Sequence, residues 1–165
     1  MAEEFSFDVV SKVDMQAADD AVNACNREIS VRFDFKGSIS KLELDKKEGK
    51  IILVSDDEGK LKSVVDILRG RWAKRGIDQK ALVFEKLEVA IGGSVRQAVK
   101  VNQGISSEKA KQIVADIKAT KAKVTPSIKG DQVRVTSRSK DSLQEVIALI
   151  KSRDYGIPLQ FENYR

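Results

Sequence analysis

Histidine is absent from the 165 residues, and cysteine occurs once, at Cys25. A disulfide framework is therefore impossible, and no zinc, haem or histidine-based metal site can be assembled. The usual general base is missing too, and the carboxylates are scattered over prospective helices and turns instead of clustering near a nucleophile. Non-catalytic binding is expected, with no cofactor and no catalytic residue. Aromatics make up only 5% of the chain, too few to line a sheet with base-stacking rings. No apolar run approaches a membrane span. The opening MAEEFSFDVV lacks the basic region and long apolar run of a secretory signal. A cytoplasmic protein that stays off membranes is expected, and it is expected to be a monomer.

What is present is charge, unevenly placed. Residues 1–90 carry 16 Lys/Arg against 18 Asp/Glu, whereas residues 91–165 carry 14 against 7, a net charge of −2 followed by +7. A split of this kind points to a polyanionic partner for the second part. The 41% of hydrophobic residues suffices for a core.

The chain repeats itself. Lys50 to Lys86 runs parallel to Asp131 to Asn163: Leu61, Val64, Val65 and Leu68 match Leu143, Val146, Ile147 and Ile150, and Arg75-Gly76-Ile77 falls against Tyr155-Gly156-Ile157. Before these segments, FDVVSKVD and SVRQAVKVNQ alternate as strands. Each precedes a helix whose apolar stripe is Ala18, Val22, Cys25 and Ile29 in one case and Ala110, Ile113, Val114 and Ile117 in the other. FDFKGSISKLELDK and KVTPSIK supply one further strand each. Every half then reads strand–helix–strand–strand–helix–strand, and two helices can cover only one face of a four-stranded sheet. The expected fold is α+β, two ferredoxin-like sandwiches in tandem, residues 1–91 and a basic 94–165. Gly92-Gly93 marks the join, as a hinge or as a bulge in one long strand serving both halves, and an exchange of edge strands stays open.

If the valines of the second half point inward, its outward set includes Arg96 and Lys100 on the first strand, Lys123 and Lys129 on the second, Gln132 and Arg134 on the third, and Tyr164 on the last. That face has five cations and one acid, and it is expected to contact phosphates. Lysines also cover open sheets simply to keep them apart. Lys36-Gly37-Ser38 follows an aromatic-alternating strand, and its backbone could hold a phosphate oxygen. A bend is the commoner meaning of a lone glycine there. Trp72 and Cys25 lie on apolar stripes and are expected in the core.

Together FDVVSKVD, RFDFKGS, LRGRWAKRGID, GGSVRQAVKVNQGI, SIKGDQVRVTSRSKDSLQ and PLQFENYR resemble the YajQ family of small bacterial proteins, in the family's order from about Phe5 to Arg165. The resemblance implies two ferredoxin-like domains and a nucleotide-binding protein without known catalysis, some members being linked to cyclic di-GMP and others to nucleic acid. By matching motifs it carries over Lys36, Gly37 and Ser38, then Arg96, then Gln132, Arg134 and Thr136. The expected partner is a nucleotide or nucleic acid, RNA before DNA, met through a basic sheet face. A cyclic dinucleotide effector and a protein-interaction module partnering a regulator are the alternatives.

Overall fold

The computed structural model describes residues 3–90 and 92–165. Their strands and helices run β1 (Phe5–Val10), α1 (Met15–Val31), β2 (Lys41–Asp45), β3 (Lys50–Ser55), α2 (Glu58–Lys74), β4 (Leu82–Phe84), β5 (Glu88–Val89), β6 (Val95–Val101), α3 (Ser107–Ala119), β7 (Thr125–Lys129), β8 (Gln132–Ser137), α4 (Lys140–Ser152) and β9 (Gln160–Glu162). The fold is mixed α+β with two antiparallel sheets. Among the described residues, no helix is long and apolar enough to cross a membrane.

The chain forms two compact units, but they are not the expected halves 1–91 and 94–165. One, the central unit, comprises residues 13–102; the other, the terminal unit, joins residues up to 12 with residues 103–165. The difference is an exchange of strands. β1 pairs antiparallel with β8 and β9, and β6 pairs with β3 and β4, so each N-terminal strand of a half sits in the sheet of the other half. Alternation decides which face of a strand is buried, not which sheet receives it.

In the central unit the sheet order is β2-β3-β6-β4, with β5 also pairing β6. The Asp14 carboxylate caps α1 by accepting the Gln16 and Ala17 N–H groups, and Asp57 caps α2 through Lys60 N–H. The buried stripe of α1 (Ala18, Val22, Cys25, Ile29) and that of α2 (Leu61, Val64, Leu68, Trp72) meet Leu42, Ile51, Leu53 and Val99 of the sheet in one core. Burial pushes the Cys25 thiol up to about 12, in keeping with a core side chain. Gly92 and Gly93, both at positive φ, belong to the β5–β6 turn within this unit and not to a join between halves. Ile91, between β5 and those glycines, lies outside the described residues.

In the terminal unit the order is β7-β8-β1-β9. Ser106 and Ser139 cap α3 and α4, whose faces (Ala110, Ile113, Ile117; Leu143, Val146, Ile150) close over Phe7, Val9, Val133 and Val135. The stripes read from the sequence are the ones that pack into the cores, with Val65 and Val114 only partly buried.

Candidate functional site: the Phe33–Ser38 loop

The exchange divides the expected basic face. Arg96 and Lys100 lie on β6 in the central unit, whereas Lys129, Gln132 and Arg134 lie on β7 and β8 in the terminal one. The charge split goes with it. The terminal unit holds 13 Lys/Arg and 10 Asp/Glu, net +3, and the central unit 17 and 15, net +2. Both arginines are also partnered by acids, contrary to the expectation of an uncompensated surface. Arg96 Nη1 is 3.4 Å from the Glu88 carboxylate, across the β5–β6 pair. Arg134 stands directly opposite Asp8, to which it donates from Nε at 3.0 Å and Nη2 at 3.5 Å.

Asp8 is 2% exposed and also accepts the Asn163 amide at 2.8 Å. The hydrogen bond from Arg134 outweighs desolvation and holds its carboxyl below the usual carboxylate value. Nearby, Lys12 Nζ is 2.5 Å from Glu162. Lys129 is exposed at the end of β7, with no ion pair among the described residues.

Tyr164 is not on that face. Asp8 pairs with Glu162, yet Ser6 exchanges both backbone hydrogen bonds with Arg165, so three steps on one strand oppose two on the other. The extra residue is a β-bulge, with Asn163 in the left-handed region at φ 57°. It turns Tyr164 to the helix side, where its ring lies 6.2 Å from Phe7 and lines a cleft of about 260 Å³ with Phe5, Lys140, Leu143 and Ile147.

The Lys36 turn has a more specific geometry. RFDFKGS is not a strand: Phe33–Phe35 is one turn of 3-10 helix, and β2 begins only at Lys41. Residues two apart share a face in a strand but diverge by about 120° in a 3-10 turn. Phe35 accordingly is 4% exposed and Phe33 86%. Arg32 Cζ and Lys60 Nζ sit 5.4 and 5.2 Å from the Phe35 ring centroid. Arg32 is further clamped, giving two bonds to Asp34 at 3.0 and 2.9 Å and one to Glu28 at 3.1 Å. Lys60 Nζ donates to the Asp34 carbonyl.

Phe35 to Ser38 then form a type II turn. Lys36 has φ −60° and ψ 124°, Gly37 has φ +77°, and Ser38 N–H donates to the Phe35 carbonyl at 2.9 Å. Behind the turn, Ser38 Oγ donates to Asp56, whose other oxygen accepts Ile39 N–H at 3.2 Å; the Ser38 bond is the main reason the Asp56 carboxyl is held below its usual value. Serine hydroxyls continue the network inward, Ser38 to Ser40 and Ser40 to Ser55, each at 2.7 Å. Asn26 ties α1 to the start of β2 with two bonds to Leu42, at 2.8 and 2.9 Å. Within this braced loop, the Gly37 N–H and the Lys36 ammonium have no partner among the described residues. A donor amide held in a braced turn, with a cation on the same turn, can receive an anionic oxygen.

Of the residues singled out from sequence, Lys36, Gly37 and Ser38 are thus brought together. Arg96 with Lys100 share a strand, and Lys129, Gln132 and Arg134 share a hairpin. Phe33, Lys60 and Asp56 escaped the sequence reading, because nothing in the spacing distinguishes a 3-10 turn from a strand over three residues.

A family model described as "Nucleotide-binding protein YajQ-like" matches residues 5–165. A protein of Desulfitobacterium hafniense (strain DSM 10664 / DCB-2), named "Nucleotide-binding protein", is 55% identical over 165 residues, covering the whole of both chains. Others of that name come from Elusimicrobium minutum, 50% identical over 98% of this chain and 99% of its own, and from Carboxydothermus hydrogenoformans, 47% identical over the whole of both. With a match that runs from β1 to the last residue, the chain belongs to the YajQ-like family.

Proposed function

We propose that this chain is a non-catalytic, cytoplasmic nucleotide- or nucleic-acid-binding protein, with RNA preferred over DNA, and that the Lys36-Gly37-Ser38 turn receives a phosphate. The relatives' printed names support the nucleotide. One observation carries the site: among the described residues the Gly37 N–H and the Lys36 ammonium have no partner, while Ser38, Asp56 and Lys60 around them are hydrogen-bonded within the loop. Lys100 and Lys129, also without ion pairs among the described residues, add diffuse attraction within their own units. Arg96, Gln132 and Arg134 are weaker contributors, because acids already hold the two arginines. The scaffold we assign to each unit is ferredoxin-like, from its strand order and its two helices on one face.

The test is binding of a short labelled single-stranded RNA across a salt series. Affinity is expected to fall linearly with salt on logarithmic axes, and Lys36→Ala to weaken binding and flatten the slope by about 0.7. Arg96→Ala/Arg134→Ala is expected to leave most of the affinity. No binding at low salt would overturn the polynucleotide reading. Saturable one-to-one uptake of a cyclic dinucleotide, lost in Lys36→Ala, would keep the turn as a phosphate site but replace its ligand.

A further inference from the structure

Phe33 is the most exposed large hydrophobic side chain among the described residues, at 86%. It makes no ring–ring contact among the described residues, unlike Tyr164, which leans on Phe7. Nor is it stranded by a floppy segment: its carbonyl accepts Lys36 N–H at 3.1 Å, and the next aromatic, Phe35, is buried under two cations. The loop is therefore held in a form that presents one ring outward and one inward. Val31 and Ile39, 82% and 52% exposed, are further exposed apolar side chains close to it in sequence. An apolar patch alone does not name its occupant. The same loop, however, carries the Lys36 ammonium and Gly37 N–H, three and four residues on, neither with a partner among the described residues. A π-face on the same short loop as an anion-accepting turn matches the two chemical parts of a nucleotide, its base and its phosphate.

We propose that Phe33 is a stacking platform for an unpaired nucleobase, so that the ligand of this loop is a single-stranded or free nucleotide and not a bare polyanion or a duplex. This rests on the phosphate reading of the Lys36 turn and adds the base to it. A ring face does not distinguish one base from another, so recognition is tolerant of sequence and depends on the base being unstacked.

The experiment uses the full chain and two variants at this exposed position, Phe33→Trp and Phe33→Ala, with a four-nucleotide single-stranded RNA and inorganic tripolyphosphate as probes. The native Trp72 is fully buried, so emission from Phe33→Trp reports on the loop. Expected are quenching by the oligonucleotide and none by tripolyphosphate, and a loss on the order of tenfold in oligonucleotide affinity in Phe33→Ala. The salt slope and the tripolyphosphate affinity of Phe33→Ala should match those of wild type, because the phosphate contact is intact. If Phe33→Ala binds the oligonucleotide as wild type does while Lys36→Ala is impaired, stacking is overturned and the phosphate turn stands. If neither substitution matters, both readings fall, and the patch belongs to another kind of partner.

Discussion

At the centre of its sheet, on the side away from its own helices, the terminal unit sets Asp8 against Arg134, where the central unit sets Ala98 against Ile52. The positions correspond. Counting back from Leu143 and Leu61, Arg134 and Ile52 occupy the same place on the strand before the second helix. The two units differ again after their first helix: nine residues, 32–40, separate α1 from β2, but only five, 120–124, separate α3 from β7. The added length carries the 3-10 turn, the exposed Phe33 and the Lys36 turn. One scaffold thus holds an ion pair in one copy and, in the other, the loop we propose as the phosphate site, and the difference lies in those few replacements.

The largest effect tests whether the units are built alike at the end of their second helices. Trp72 in α2 is fully buried and its indole N–H donates to the Asp78 carbonyl at 3.0 Å. Three residues past α4, Tyr155 is 6% exposed and donates its hydroxyl to Asp116 at 2.6 Å. Burial, with the Asp116 bond second, pushes the Tyr155 phenol above its ordinary range, so it remains a donor at all ordinary pH. Trp72→Ala is expected to cost about 3–5 kcal/mol in a denaturant titration, and Tyr155→Phe about 1 kcal/mol. Equal losses would show that the two aromatics are not performing the packing roles assigned to them.

The sheet centre gives the next effect. Asp8→Ala removes the partner of a half-exposed arginine and is expected to cost about 2 kcal/mol. Transplanting the apolar pair of the central unit, as Asp8→Ala/Arg134→Ile, should return stability close to wild type. The two proteins separate most clearly with pH. Because the Asp8 carboxyl titrates below its ordinary value of 3.8 when folded, its contribution is fully present above that value and lost as pH falls through the folded one. Wild type should therefore lose an increment of stability in acid that the double variant never had. Parallel acid profiles would mean that the pair contributes nothing.

Helix faces were open to reading from sequence because a 3.6-residue period survives in any packing: Cys25, Trp72, Ile113 and Ile150 are all buried as their stripes require. Strand partners were not. β1 sets Phe7 and Val9 on one face, and β6 sets Val95, Val99 and Val101 on one face, and either pattern satisfies either sheet, so the exchange leaves no trace in the residues themselves. The basic face dissolved for the same reason, since Asp8 lies 126 residues from Arg134 and joins it only through that exchange. Tyr164 was misplaced by a single left-handed residue, Asn163, and Phe33 by a turn too short to show a period. What could be read around the site was the Lys36-Gly37-Ser38 motif, because glycine at positive φ is a local demand.

The smallest effect separates shape from function at two glycines. Gly37 in the central unit and Gly130 in the β7–β8 turn of the terminal unit have φ +77° and +62°, and a Cβ on either would meet nothing within 4 Å. The cost of Gly→Ala is then left-handed strain alone, about 1 kcal/mol at each. A denaturant titration should not tell the two variants apart. A titration with single-stranded RNA should, because only at Gly37 does the added methyl stand beside an unpaired N–H and the Lys36 ammonium. Weaker binding in Gly37→Ala than in Gly130→Ala, at matched stability, would assign the loss to a closer approach denied to the phosphate. Equal binding in both would leave Gly37 as a turn residue only, and the phosphate would have to be held by Lys36 without the backbone.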